Sequence, residues 1–316
     1  MTDLRIVFMG TPEFAVKSLE AILEAGYNVV GVITAPDRPA GRGRKLRESA
    51  VKTFAVSKGL NVLQPTNLKS EEFQQELKQI DPNVQVVVAF RMLPESVWNY
   101  PEFGTFNLHA SLLPQYRGAA PINWAIMNGE KETGISTFFL DEKIDTGAMI
   151  MQESVVIGEH ENLETIHDRL MNKGSGLVVK TLKAISEGTT KPVAQKDSGT
   201  LREAPKLNRE NTKINWDKPL NEIYNHIRGL NPYPSAWCYL DNGDAQEQTV
   251  KIYDVINHKE EHDHFYGNVL IKEKQLLVAA KGGFIEIKQI QLPGKRKMET
   301  HSLLNGFKFS EKAKLR

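Results

Sequence analysis

Short apolar runs alternate with amphipathic helical stripes through the first half of the chain, and no other feature constrains the fold as strongly. Residues 4–9, 29–34, 85–89, 105–109 and 134–139 read as strands, several of them apolar on both faces. After the first run, Ala15, Leu19, Ile22 and Leu23 recur at helical spacing between Pro12 and Gly26. Those two residues suit the first turn and the stop of a helix. Further helical patterns follow at 51–57, behind Ser70, around 122–128 and behind Asn162. Ser70 and Asn162 are side chains that can satisfy the first unpaired N–H groups of a helix. Strands and helices in alternation predict an α/β fold with a mainly parallel, doubly wound sheet covered on both faces. Such sheets bind ligands beyond the carboxyl ends of their strands.

The pattern stops at residues 190–207, where Gly, Thr, Pro, Lys and Ser dominate and periodicity vanishes. That stretch reads as a linker between a first domain at 1–189 and a second at 208–316. In the second, Leu220, Ile223, Tyr224 and Ile227 mark one helix closed by Gly229 and Pro232. The remainder reads as strands at 237–240, 250–255, 269–272, 276–279 and 284–291, with an Asn242-Gly243 hairpin turn after the first. Their close spacing predicts a small closed β-barrel of the OB-like type.

Charge divides along the same line. Residues 1–189 carry 19 basic and 23 acidic side chains, and residues 190–316 carry 21 and 16, so a near-neutral total hides a basic second half. Such a surface favours a polyanionic partner. Residues 38–47 are an exception within the acidic half, with Arg38, Arg42, Arg44, Lys45 and Arg47 and no acid; Pro39, Gly41 and Gly43 make the stretch a loop. No apolar run approaches the ~20 residues that cross a bilayer. Asp3, Pro12 and Glu13 interrupt any secretory leader, and a lone Cys238 fits a reducing compartment. The expectation is a cytoplasmic globular protein with no membrane partner.

Two constellations can carry chemistry. Asn107 and His109 alternate on one strand, so their side chains share a face at the end where this architecture places its site. An amide donor beside an imidazole is what an oxyanion at an acyl carbon requires. Asp145, ahead of Thr146-Gly147, can orient the ring of His109 and favour its protonated form, or can simply close an Asx turn. Asp141, Glu142 and Asp145 lack a histidine or further acid at ligand spacing, so no metal is expected. The run 258–264, rich in histidine, sits between strands and is full of charge, which reads as a solvated hairpin loop. Cys238 reads as a small buried hydrophobe.

Asn107-Leu-His109 with Ser111-Leu-Leu-Pro114, and Asp145 beyond, resembles the catalytic pattern of the folate-dependent formyltransferases. Met9-Gly-Thr-Pro-Glu-Phe14, the stretch 36–45, Arg117-Gly-Ala-Ala-Pro121, Ala204-Pro-Lys206, Ile214-Asn-Trp216, residues 227–232 and Gly294-Lys-Arg296 are similar to the branch that formylates methionine on initiator tRNA. Phe90-Arg-Met92 and Asn215 depart from the family's usual residues. The resemblance implies a formyltransferase-type nucleotide fold in the first domain. It also implies 10-formyltetrahydrofolate as formyl donor, initiator methionyl-tRNA as acceptor, and no protein partner. It implies catalytic roles for Asn107, His109 and Asp145: the first two donate to the formyl oxygen, and Asp145 holds His109 and helps remove the amine's proton. Ser111, Leu112, Leu113 and Pro114 would line the folate side, with Arg91 and Leu93 contributing from their own stretch. Arg42, Arg44 and Lys45 would meet the tRNA end, and the basic barrel would track its acceptor stem. An amino-sugar nucleotide or glycinamide nucleotide is the alternative acceptor, but it gains nothing from the arginine loop. A non-catalytic RNA-binding protein is the rival from another class. A dinucleotide oxidoreductase is disfavoured because Gly10-Thr-Pro-Glu13 is not a G-x-G-x-x-G turn.

Overall fold

The apolar run after Leu4 becomes β1 (Arg5–Gly10), an interior strand of a seven-stranded sheet. The computed structural model describes all residues except 1, 41–44, 197–198 and 244–245. Helix α1 (Glu13–Glu24) follows, with Pro12 as its N-cap rather than in the first turn, and Gly26 at φ +78° ends it. Then come β2 (Asn28–Ile33), β3 (Arg38–Ala40), β4 (Lys45–Arg47), α2 (Ala50–Ser57), β5 (Val62–Leu63), α3 (Glu71–Ile80), β6 (Val84–Val88), α4 (Glu95–Trp98) and β7 (Thr105–His109). Next are β8 (Arg117–Gly118), α5 (Pro121–Met127), β9 (Glu132–Phe139), β10 (Met149–Val156), α6 (Leu163–Ser186) and β11 (Glu203–Ala204). Ser70 and Asn162 cap their helices, accepting from the N–H groups of Phe73 and Thr165.

Strands β5, β2, β1, β6 and β7 run parallel, and β9 pairs antiparallel to β7. The register sets Met9 beside Val87, Val87 beside Asn107, and Asn107 beside Phe138. On that face α3 and α4 pack Phe73, Leu77 and Val97 against Val7, Met9 and Val87. On the other, α6 lies against Leu108, which leaves no room for a Cβ at Gly174, and Thr181 hydrogen-bonds Thr137 at 2.9 Å. The basic stretch is not a loop throughout: β3 and β4 form a hairpin stem with Arg38 opposite Arg47. Asp37 anchors that stem through Lys52 Nζ at 2.5 Å and Gln64 Nε2 at 2.8 Å.

The chain divides into two compact units interleaved in sequence. One comprises Met1–Gly118, Thr133–Val155 and Asp168–Glu203; the other comprises Ala119–Glu132, Val156–His167 and Ala204–Arg316. In the second, α7 (Leu220–Arg228) precedes β12 (Ala236–Asp241), β13 (Gln248–Ile252), β14 (Val255–Lys259), β15 (Val269–Lys272), β16 (Gln275–Ala280), β17 (Gly283–Ile287) and β18 (Gln289–Gln291). The chain ends with β19 (Met298–Glu299), α8 (Thr300–Leu304) and β20 (Lys314–Leu315).

The runs 250–255 and 284–291 each break in two, and their halves join different sheets, ordered β19-β18-β13-β12-β20 and β14-β17-β16-β15. The two bent runs join the sheets on one side, and on the other β15 reaches β20 through the bridge between Asn268 and Lys314, so the strands close into the expected small barrel. Ile223 and Ile227 of α7 share their core with Ile252, Val278, Ile285 and the fully buried Cys238. Burial pushes the Cys238 thiol up to about 12, so it stays protonated and inert.

The histidine-rich run is largely the exposed loop expected between β14 and β15, but two of its histidines are held against the sheet. His262 Nε2 donates to the carbonyls of Ala280 and Gly283, both at 2.9 Å, and its ring packs on Phe284. His258 Nε2 lies 2.8 Å from the buried Glu286 carboxylate. Burial raises that carboxyl, but hydrogen bonds from Lys288 and His258 outweigh it and hold it below the usual range.

Half-buried His226, on the last turn of α7, is pushed down by desolvation, against a smaller upward pull from the Thr212 backbone. Its Nε2 has no partner among the described residues. Its folded form stays neutral where the unfolded chain takes up a proton. The second unit should therefore lose stability as pH falls through the free-histidine value of about 6.5. Urea melts from pH 8 to 5 should show that loss, and His226→Gln should flatten it.

Candidate active site

Strand β7 delivers two polar side chains to the carboxyl edge of the parallel sheet. Asn107 is half-buried opposite Val87 and Phe138, and its amide has no intrachain partner among the described residues. His109 is buried opposite Ser136. The His109 Nε2 lies 2.9 Å from the Tyr116 carbonyl oxygen, which can only accept. That carbonyl is turned toward the ring by a left-handed Tyr116, at φ +61°.

Asp145 closes the other side. Its Oδ2 lies 3.7 Å from His109 Nδ1 and accepts the Gly118 N–H at 2.9 Å. The ring thus has Nε2 on a backbone acceptor and Nδ1 facing the carboxylate at ion-pair distance. Neither Nδ1 nor the Asn107 amide has a hydrogen-bond partner among the described residues, so both positions anticipated to face a reacting oxygen stay available. Asp145 is itself left-handed, at φ +56°, and Gly147 packs so tightly that a Cβ there would stand 1.7 Å from the Phe139 carbonyl oxygen.

The residues anticipated on the folate side are mostly turned inward. Ser111 is fully buried, its hydroxyl donating to the Gln115 carbonyl at 2.7 Å, and its own carbonyl accepts from Ser136. Leu113 is buried, its carbonyl held by Gln152 at 3.0 Å, and Leu112 fills the space above Gly134. Pro114 is half-buried, and Leu93 belongs to the core beside Val87. Arg91 stacks on Phe90 and donates to the carbonyls of Pro65 and Thr66. Desolvation, and then the charge of Arg38, hold its guanidinium below the usual range. These residues shape the wall by packing, while Met92 beside them is exposed. Arg42 and Arg44 lie outside the described residues, and Lys45 is described only as strand backbone.

Sequence reasoning missed two backbone groups of the site, the Tyr116 carbonyl and the Gly118 N–H, and the side chain of Gln195, whose Nε2 donates to the carbonyls of Asp145 and Gly147. Arg117-Gly118 stands in a quoted motif, but nothing in the sequence ties Gln195 to Asp145 across fifty positions. Among the described residues no cluster of His, Cys, Asp and Glu could hold a metal ion, and no helix is long and apolar enough to cross a membrane.

A parallel sheet with an amide, an imidazole and a carboxylate gathered at its carboxyl edge defines an acyl-group transferase site that works through hydrogen bonds. Two family models match the chain: formyl transferase over residues 4–182, and formyl transferase, C-terminal domain, over 206–308. The chain belongs to the formyl transferase family. Within that family it belongs with the methionyl-tRNA formyltransferases. It is 54% identical to the one from Flavobacterium johnsoniae over all of both chains, and 50% identical to that of Bacteroides fragilis over 99% of this chain and 98% of the relative. The fold is shared with an N-formyltransferase from Helicobacter canadensis solved with folinic acid and dTDP-3-aminofucose. That likeness has a TM-score of 0.63 at 22% identity, covering 93% of this chain and all of the other. It is shared too with HypX from Aquifex aeolicus, TM-score 0.66 at 16% identity, over 96% of this chain and 49% of that one.

Proposed function

We propose that this chain transfers the formyl group of 10-formyltetrahydrofolate to the α-amino group of methionine esterified to initiator tRNA, in the cytoplasm. The observation that carries this reading is the end-to-end 54% identity with a methionyl-tRNA formyltransferase, which takes in the second unit as well as the first. The site fits a formyl donor, because the Asn107 amide at the sheet edge, unpaired among the described residues, offers the N–H that a formyl oxygen accepts. Bound there, the donor supplies an electrophilic formyl carbon.

The residues of the chain do the rest. Asn107 donates to the formyl oxygen as negative charge gathers on it. Asp145, anchored by the Gly118 N–H, takes a proton from the attacking amine, directly or through one water. His109, between the Tyr116 carbonyl and Asp145, sets the carboxylate's direction. A bond forms between the methionyl nitrogen and the formyl carbon, and the bond from that carbon to N10 breaks. The proton leaving the amine ends on N10, so no protein nucleophile is consumed.

The second unit suits an RNA acceptor. Arg209 lies 4.4 Å from the Trp237 ring centre and Lys213 lies 4.8 Å from that of Tyr239, with Lys251 paired to Trp237 across the strands. None of the three cations has an acidic partner among the described residues, which leaves their charge for phosphates. Arg209 and Lys251 rim a cavity of about 270 Å³ floored by Trp237 and Thr249.

Radiolabelled formyl transfer tests the reading. Label should pass to methionyl initiator tRNA and not to an amino-sugar nucleotide; the reverse result would reassign the acceptor. Asn107→Ala should lower kcat by about 10²–10³-fold, the usual cost of one oxyanion donor. Its tRNA affinity, measured by filter binding, should hold. Arg42→Ala and Lys213→Ala should each raise the Kd for tRNA without changing folate binding. The slope of log K against log salt should fall by about one for each phosphate that a variant no longer neutralises.

A further inference from the structure

Gln195 lies in the stretch that reads as a linker, yet both ends of its amide are used at the site. Its Nε2 donates to the Asp145 carbonyl at 3.0 Å and to the Gly147 carbonyl at 2.9 Å. Its Oε1 accepts from Arg117 Nη2 at 2.8 Å and Nε at 3.2 Å. The partners fix which amide atom is which, since guanidinium groups only donate and carbonyls only accept. Arg117 adjoins Gly118, whose N–H binds the Asp145 carboxylate at 2.9 Å. The hydrogen bonds close a ring: Arg117 side chain, Gln195, Asp145 backbone, Asp145 carboxylate, and back to the chain at Gly118.

We propose that Gln195, seated by Arg117, is a positioning residue for formyl transfer, holding the Asp145 turn so that the carboxylate faces His109. The proposal rests on the role given to Asp145 above. An aspartate at φ +56° keeps that backbone only where its surroundings over-determine it. Gly147 braces the turn on one side, against the Phe139 carbonyl. Gln195 braces the other, and it does so with two hydrogens of one –NH₂ group, which only an amide supplies while also accepting from Arg117. These bonds lie wholly within the first unit and need no ligand to form.

Gln195→Ala should lower kcat by about 10²-fold, the scale of a misplacement near 1 Å, while KM for both substrates is unchanged. In the enzyme alone, amide hydrogen exchange over residues 141–147 should speed up. In an Asp145→Asn background Gln195→Ala should cost no further activity, because it acts through that carboxylate. Gln195→Glu keeps the size and the acceptor for Arg117 but sets a carboxylate against two carbonyls, and it should reproduce the signature if the alanine variant does not fold. Unchanged kcat, unmoved exchange, or an equal loss in both backgrounds would overturn the proposal. Normal turnover in Asp145→Asn alone would overturn the Asp145 assignment and this inference with it.

Discussion

Everything at the site depends on the register of one strand. Alternation along β7 puts Asn107 and His109 on the same face, and pairing with β6 and β9 sets them level with Val87 and with Phe138 and Ser136. A slip of one residue would turn both polar side chains into the opposite layer and bring Phe106 and Leu108 to their place. Phe106 and Leu108 are buried on that opposite face, so hydrophobic burial holds the register that the chemistry uses. The polar pair is positioned by the apolar pair between and before it.

Around that strand the site is assembled largely from backbone groups. A carbonyl from Tyr116 and an N–H from Gly118 flank the His109–Asp145 pair, and the residues that present the carbonyl and the carboxylate, Tyr116 and Asp145, are both left-handed. Left-handed backbone at a non-glycine residue costs about 1–3 kcal/mol and persists only where several neighbours enforce it. Here the enforcement comes from β9 through Gly147 and from Gln195. A site built this way holds the Asn107 amide and the Asp145 carboxylate in place with bonds internal to the chain, as the proposed direct transfer between two bound partners requires.

The second unit solves a different problem with the same economy. Its runs 250–255 and 284–291 bend and change sheets, so a small number of residues can wrap one apolar core and still leave a cationic, aromatic surface at Trp237 and Tyr239. Two of its polar clusters are bonded internally: Glu286 between His258 and Lys288, and His262 on two backbone carbonyls.

Hydrophobic period and turn chemistry already marked five of the seven strands of the first sheet, the caps Ser70 and Asn162, the shared face of Asn107 and His109, and the basic character of the second half. These are properties of neighbouring residues, and alternation or helical spacing expresses them directly. What the sequence left open was each pairing made at long range. The basic stretch hid a hairpin stem, because Arg38 and Arg47 meet only once the chain turns back. The barrel was legible as a run of close strands, but where 250–255 and 284–291 bend was not, because a bend depends on which neighbours a strand finds. His262 reads as solvated in sequence, since nothing local announces that Phe284 lies beneath it. Asp145 could equally have closed a local turn until folding brought Gly118, His109 and Gln195 around it. Local pattern selects elements and faces; which distant donors and acceptors meet is decided by the packing of the whole chain.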